Sequence, residues 1–233
     1  IGDSEVRVLV RKFAADFEQH VAPWLPTLRT SVIHNDANSY NVIAGGGDDL
    51  YTRNQHVVGL IDFGDMVHSY TVGGLAVAIA YAILDKADPL AAAAQVVKGY
   101  QAEQPLHENE IAALFGLVCM RLCVSVCIAA HQTHANPHNE YLSISQQSIR
   151  RTLPALALIQ PRLAEATFRN ACGLPPVPHS ERSIQWLQRH SDQVASVLDF
   201  DLGDAGCIVL DLSVGSPLVS CGESDRSKLA LAQ

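Results

Sequence analysis

The chain has 233 residues, 48% of them hydrophobic and 17% charged, enough for one well-buried domain and an appendage. Acidic residues outnumber basic ones 24 to 16, and the formal charge of −8 without a Lys/Arg cluster argues against nucleic acid as a partner and suits a cationic substrate. No run of eighteen apolar positions suggests a membrane span, and Asp3 and Glu5 stand where a signal peptide carries positive charge, so a soluble protein is expected.

Val6, Leu9, Val10, Phe13, Phe17 and Val21 recur near helical spacing, predicting an amphipathic helix from Ser4 to Trp24, with Pro23 and Pro26 at its end. From Thr30 the pattern changes to short apolar pieces, Ser31 to Ile33, Tyr40 to Ala44 and His56 to Ile61, read as strands. Gly45-Gly46-Gly47-Asp48-Asp49 lacks the Lys-Ser/Thr of a phosphate loop and reads as a turn between two of them. Beyond Tyr70 helices are predicted over Gly73 to Asp85, Pro89 to Gln101, Glu108 to His131, Tyr141 to Leu153 and Leu156 to Asn170, an α-bundle.

Cys119, Cys123 and Cys127 recur every fourth residue and are expected as buried thiols on one helix face. None of the six cysteines forms a CxxC pair, and a reducing, cytoplasmic compartment is expected. His131, His134 and His138 flank a helix-breaking Asn136-Pro137, so they read as a loop between helices rather than a metal cluster. After Cys172 the run Gly173 to Pro178 reads as a stiff linker, followed by a weaker helix around Ser183 to Arg189. The last forty residues hold one strand candidate, Cys207 to Leu212, too little for a core of its own.

The informative segment is His34-Asn35-Asp36-Ala37-Asn38-Ser39-Tyr40-Asn41, followed further on by Ile61-Asp62-Phe63-Gly64-Asp65. The spacings H-x-D-x-x-x-x-N and D-F-G are those phosphoryl transfer needs: an oriented hydroxyl nucleophile, and oxygen ligands for a divalent metal that offsets phosphate charge. Asp36 is the base candidate, Asn41 offers a carbonyl oxygen and Asp62 a carboxylate to magnesium. His34 is placed to brace the catalytic loop, and Asp65 to tighten the second loop or touch metal or substrate.

HNDANSYN with IDFGD resembles the aminoglycoside phosphotransferase and choline kinase superfamily, whose fold is like that of protein kinases. GDMVHSYTVGGLAVAIAYAILD and the helices through Leu153 look closest to its hydroxylysine kinase branch. The resemblance covers residues 1–170. It implies an α+β, mainly α C-terminal lobe, with Asp36 as catalytic base, Asn41 and Asp62 as magnesium ligands, and ATP or GTP as donor. It also implies an upstream glycine-rich loop and a strand lysine paired with a helix glutamate. Neither occurs here, since Lys12 lies in helical periodicity, so the N-lobe is expected to be absent and this piece inactive by itself.

The resembled family borders its acceptor pocket with the corresponding helices, which makes His134, Tyr70, Glu140 and Tyr141 substrate candidates for an amine-bearing alcohol. Hydroxylysine leads as acceptor, with an aminoglycoside, choline-like compound or homoserine as alternatives, and a non-catalytic kinase-like interaction module as a different class. ACGLPPVPHSERSIQWLQ and LDLSVGSP are similar to the segment that joins such a kinase to later domains, including a class III aminotransferase-like domain. Residues 171–233 are therefore expected to be a linker and extension leading towards a further domain.

Overall fold

A computed structural model of the chain describes residues 4–47, 49, 56–135, 146–194, 205–210, 218–222 and 228–231. Helix α1 (Ser4–His20) stops earlier than its periodicity predicts, and a 3-10 turn (Ala22–Thr27) takes over. Pro23 and Pro26 are the cause: a proline lacks the N–H an α-helix needs and pushes the preceding residue out of the helical region. Four short strands follow, β1 (Thr30–Ile33), β2 (Val42–Gly45), β3 (His56–Leu60) and β4 (Val67–Tyr70). They form two separate antiparallel pairs, β1 with β4 and β2 with β3. The β2–β3 pairing agrees with a turn rather than a phosphate loop at the glycines. Strand β4 has no counterpart among the predicted elements; its pairing with β1, Thr30 opposite Tyr70 and Ile33 opposite Val67, defines it.

The remainder of this part is helical: α2 (Thr71–Ala82), α3 (Pro89–Glu103), α4 (Glu108–Ala135), α5 (Gln146–Ala157) and α6 (Pro161–Ala171). Asp88 caps α3 by accepting from the Ala91 N–H at 2.9 Å, with Pro89 in the first turn where its missing N–H costs nothing. The expected break at Leu153 is corrected. Helix α5 runs through Pro154 because Ile149, Leu153 and Leu156 are buried on one face, and the next helix opens at Pro161. Beyond the end of α6, Gly173 with a φ of +75° lets the Leu174 N–H return to the Arg169 carbonyl at 2.9 Å.

Helix α4 is the axis of the core and packs against α1, α2, α5 and the 3-10 turn. Ile79 and Ile83 by α2, Ile111, Leu114 and Leu122 of α4, and Ile149 and Leu153 of α5 are all buried. Gly116 lets α4 approach Val21 closely: a Cβ there would fall 2.3 Å from Val21 Cγ2. By length and composition α4 could cross a membrane, but half of its apolar window is buried within this protein, as in a core helix.

The cysteine expectation needs one correction. Cys119 and Cys123 are buried, but Cys127 is exposed. A four-residue step overshoots a turn of 3.6 residues by about 40°, so by the second step the side chain has rotated off the buried face.

The chain divides into two compact units, Ile1–Leu158 with Thr167–Leu174, and Ile159–Ala166 with Pro175–Gln233. The second contains α7 (Ser180–Arg189), the short α8 (Ser191–Val194) and three strands, β5 (Ala205–Leu210), β6 (Leu218–Gly222) and β7 (Lys228–Leu231), in one antiparallel sheet ordered β5-β6-β7. A single strand candidate was legible there; the two further strands, of five and four residues, are too short to show a pattern of their own.

Candidate active site

The loop after β1 and the turn after β3 meet around the backbone of one residue, Ile61. Its N–H donates to the Asn41 carbonyl at 2.9 Å, and its own carbonyl lies 2.9 Å from His34 Nε2. The other ring nitrogen, Nδ1, accepts from the Asp36 backbone N–H at 3.3 Å. A backbone N–H only donates and a carbonyl only accepts, so His34 is held as the neutral tautomer with its proton on Nε2. His34 thus clamps the Asp36 loop to the strand that leads into Asp62, and its ring meets Phe63 edge-on at 5.2 Å.

Asp36 is fixed from several sides. Its Oδ2 accepts from Asn38 Nδ2 at 2.8 Å and from Asn41 Nδ2 at 2.9 Å, while Arg121 Nη2 lies 3.3 Å from Oδ1. Asn41 is buried, and the same amide nitrogen also donates to the Asp36 carbonyl at 2.9 Å. Both bonds use the nitrogen, which leaves the Asn41 carbonyl oxygen uncommitted by them.

Asp62 is exposed and has a left-handed backbone, φ 60° and ψ 70°, just ahead of the 3-10 turn Phe63–Asp65. Asn35, beside Asp36, is left-handed as well, φ 64°. Non-glycine residues adopt this region at a cost and persist where the surroundings over-determine them. Among the described residues no hydrogen bond holds the Asp62 carboxylate, and Gly64 leaves space beside it, since a Cβ there would stand 3.4 Å from Asp62 Oδ1. A neutral amide oxygen and a free carboxylate, tied through the adjacent Ile61, are hard oxygen donors of the kind a magnesium ion with phosphate ligands takes.

His34, Asp36, Asn41 and Asp62 are therefore brought together, and Asp65 closes the turn that carries Asp62. Tyr70 is not with them: it pairs with Thr30, at the end of the β1–β4 ladder away from Ile33 and the Asp36 loop. His134 lies in the last turn of α4, but its side chain, like Glu140 and Tyr141, lies outside the described residues. The structure adds two groups that pattern reading missed. Arg121 of α4 reaches Asp36, and its Nη2 also donates to the Tyr81 hydroxyl at 3.1 Å. Burial pushes the Tyr81 phenol above its ordinary range, against the opposing charge of Arg121. A signal for Arg121 existed: it is the single charged residue in the apolar run 111–130.

A carboxylate-bearing loop clamped to a second, D-F-G loop is an arrangement that phosphoryl transfer can use. Residues 2–110 match the phosphotransferase enzyme family. Hydroxylysine kinase of Bos taurus is 31% identical over 154 residues, covering 64% of this chain and 40% of that protein. Hydroxylysine kinases of Mus musculus and Danio rerio are 30% and 31% identical, covering 64% and 65% of this chain and 40% and 42% of theirs. The resemblance to that family and to its hydroxylysine kinase branch holds, and the chain spans about two fifths of the length of these curated relatives. No solved structure matches it.

Proposed function

We propose that this chain forms the catalytic-loop part of a small-molecule kinase that transfers the γ-phosphoryl group of ATP or GTP to the hydroxyl of an amino alcohol such as hydroxylysine. The observation that carries the reading is the double grip of His34 and Asn41 on Ile61, which holds Asp36 and Asp62 on adjoining loops. In this reading Asp36 receives the acceptor hydroxyl proton late in transfer and keeps the nucleophile in line. Its Oδ2 is already engaged by two amides, so the carboxylate cannot swing away. His34, whose nitrogens are both occupied by backbone groups, is a positioning residue rather than a proton carrier. Asn41 Oδ1 and the Asp62 carboxylate would hold magnesium, which when bound neutralises charge on the donor phosphates.

The chain is read as a C-terminal lobe within a longer, multidomain protein, with residues 1–170 as the phosphotransferase part and 171–233 leading on. The exposed apolar side chains of Ile43, Val57, Val58, Leu60 and Phe63 around the two loops favour further protein or nucleotide over this region. The test is phosphotransfer by the full-length protein with magnesium and either nucleotide, against hydroxylysine, ethanolamine, choline, homoserine and aminoglycosides. Asp36→Asn should lower kcat on the preferred acceptor by about a thousandfold. Absence of turnover across the panel, or a variant as active as the parent, would sink the reading.

A further inference from the structure

Arg121 is half-buried on an apolar helix, without a full set of hydrogen-bond partners among the described residues. Its side chain is 24% exposed and that of Asp36 is 20% exposed, so both are largely enclosed yet reachable. Of its three nitrogens only Nη2 has hydrogen-bond partners among the described residues, Asp36 Oδ1 at 3.3 Å and the Tyr81 hydroxyl at 3.1 Å. The contact to Asp36 is longer than the roughly 2.7–2.9 Å of a closed charge-assisted bond. Nε is buried with no hydrogen-bond partner among the described residues.

A guanidinium confined in this way is costly for the fold. Buried polar groups are normally satisfied, and a charge taken out of water needs a partner of good geometry. The ion pairs elsewhere on α4 are closed: Arg29 meets the buried Glu110 through both Nε and Nη2, at 2.8 and 2.5 Å. Arg121 therefore differs from the structural arginine in the same part of the protein. Among the described residues Nη1 is left uncommitted, and its N–H groups can donate to a carboxylate beside the one that faces the acceptor.

From this geometry we infer that Arg121, steadied by Tyr81, binds the carboxylate of the acceptor, so that the preferred substrate is a hydroxy amino acid rather than a simple amino alcohol. The inference rests on the reading of Asp36 as the group facing the acceptor hydroxyl. The nearby carboxylates Asp36 and Asp65, whose charges both reach Tyr81, provide the opposite sign for the amino end of such a zwitterion. Choline and ethanolamine carry no carboxylate and would leave the guanidinium unpaired.

The experiment compares hydroxylysine with its carboxamide, which keeps the size and removes the charge, on the full-length protein. The parent should favour the acid over the amide in kcat/KM by at least about tenfold, the effect of a hydrogen bond to a charged group. In Arg121→Gln that ratio should fall to near one, and Arg121→Lys should keep an intermediate value, whatever the change in absolute rate. A ratio unchanged in Arg121→Gln overturns the inference, because a residue acting on the phosphoryl group or only on Asp36 affects both acceptors alike. If no acceptor turns over, the proposed activity fails, and calorimetric titration of the two compounds still decides: acid binding lost in Arg121→Gln supports the clamp, and equal affinity for acid and amide, or no binding of either, refutes it.

Discussion

The helical core around α4 and the strand region that carries the candidate site are stabilised in different ways. In the core, large side chains such as Ile79, Leu114, Leu122 and Leu153 are buried, and each contributes about 1.5–3 kcal/mol of transfer free energy. In the strand region the two-stranded pairs leave Val57 72% and Phe63 55% exposed, and the loops are joined by a handful of polar bonds through His34, Asn41 and Ile61. A two-stranded pair is marginal by itself in water. The comparison teaches that this chain places its stability in one part and its candidate site in another, with α2 as the bridge: Ile33 of β1 sits against Gly74, where a Cβ would approach to 3.4 Å.

The largest effect that could break the contrast comes from a pair of substitutions. Leu153→Ala should destabilise by about 4 kcal/mol, whereas Val58→Thr should stay within about 0.5 kcal/mol, both read from urea denaturation. A comparable loss from Val58→Thr would mean that the hairpin belongs to the cooperative core.

Next comes the ion pair that fixes the start of α4. Glu110 is fully buried and accepts from Arg29 and from the His107 N–H, which joins the helix start to the segment entering β1. Burial alone would raise the Glu110 carboxyl, but the Arg29 guanidinium, the His107 N–H and the surrounding positive charge outweigh it and hold it below the ordinary range. Arg29→Met should cost about 3 kcal/mol at neutral pH by leaving a buried charge alone. A depressed folded value means that the stabilisation is complete above the ordinary carboxylate range and is lost as pH falls through the depressed value. The gap between parent and variant should therefore close on acidification, and a gap independent of pH would show that Glu110 does not carry it.

His34→Gln sharpens the comparison from the other side. Removing this half-buried brace should change stability by about 1 kcal/mol while lowering kcat of the full-length protein tenfold or more. Equal loss of stability and rate, as for a core residue, would argue against a positioning role.

The smallest effect is chemical. Burial raises the Cys119 thiol and pushes Cys123 up to about 12, so neither should be alkylated in the native state at pH 8, whereas the exposed Cys127 should react first. Mass spectrometry of iodoacetamide-treated protein reads the order, and labelling of Cys123 ahead of Cys127 would show that α4 is rotated or open there.

Much of this was legible in the sequence because local physics dictates it. The spacing of Val6, Phe13 and Val21, the Asp88-Pro89 helix start and the apolar run of α4 each state their structure through neighbouring residues. The grouping of His34, Asp36, Asn41 and Asp62 was also readable, since the motif places them on two short loops with one strand pair between. Strand β4 was not readable, because Val67-His68-Ser69-Tyr70 acquires its extended form from pairing with β1 rather than from its own pattern.

Sequence by itself determined where most helices lie, though not all their ends, and the motif and the chemistry its oxygen atoms can offer, because those depend on residue type and on separations of a few positions. Only the tertiary structure decided that Cys127 faces outward, that Tyr70 stands at the wrong end of its ladder, and that Arg121 meets Asp36 across 85 positions of chain. Contacts of that range follow from how helices pack around α4, and packing is a property of volumes and angles that no short pattern encodes.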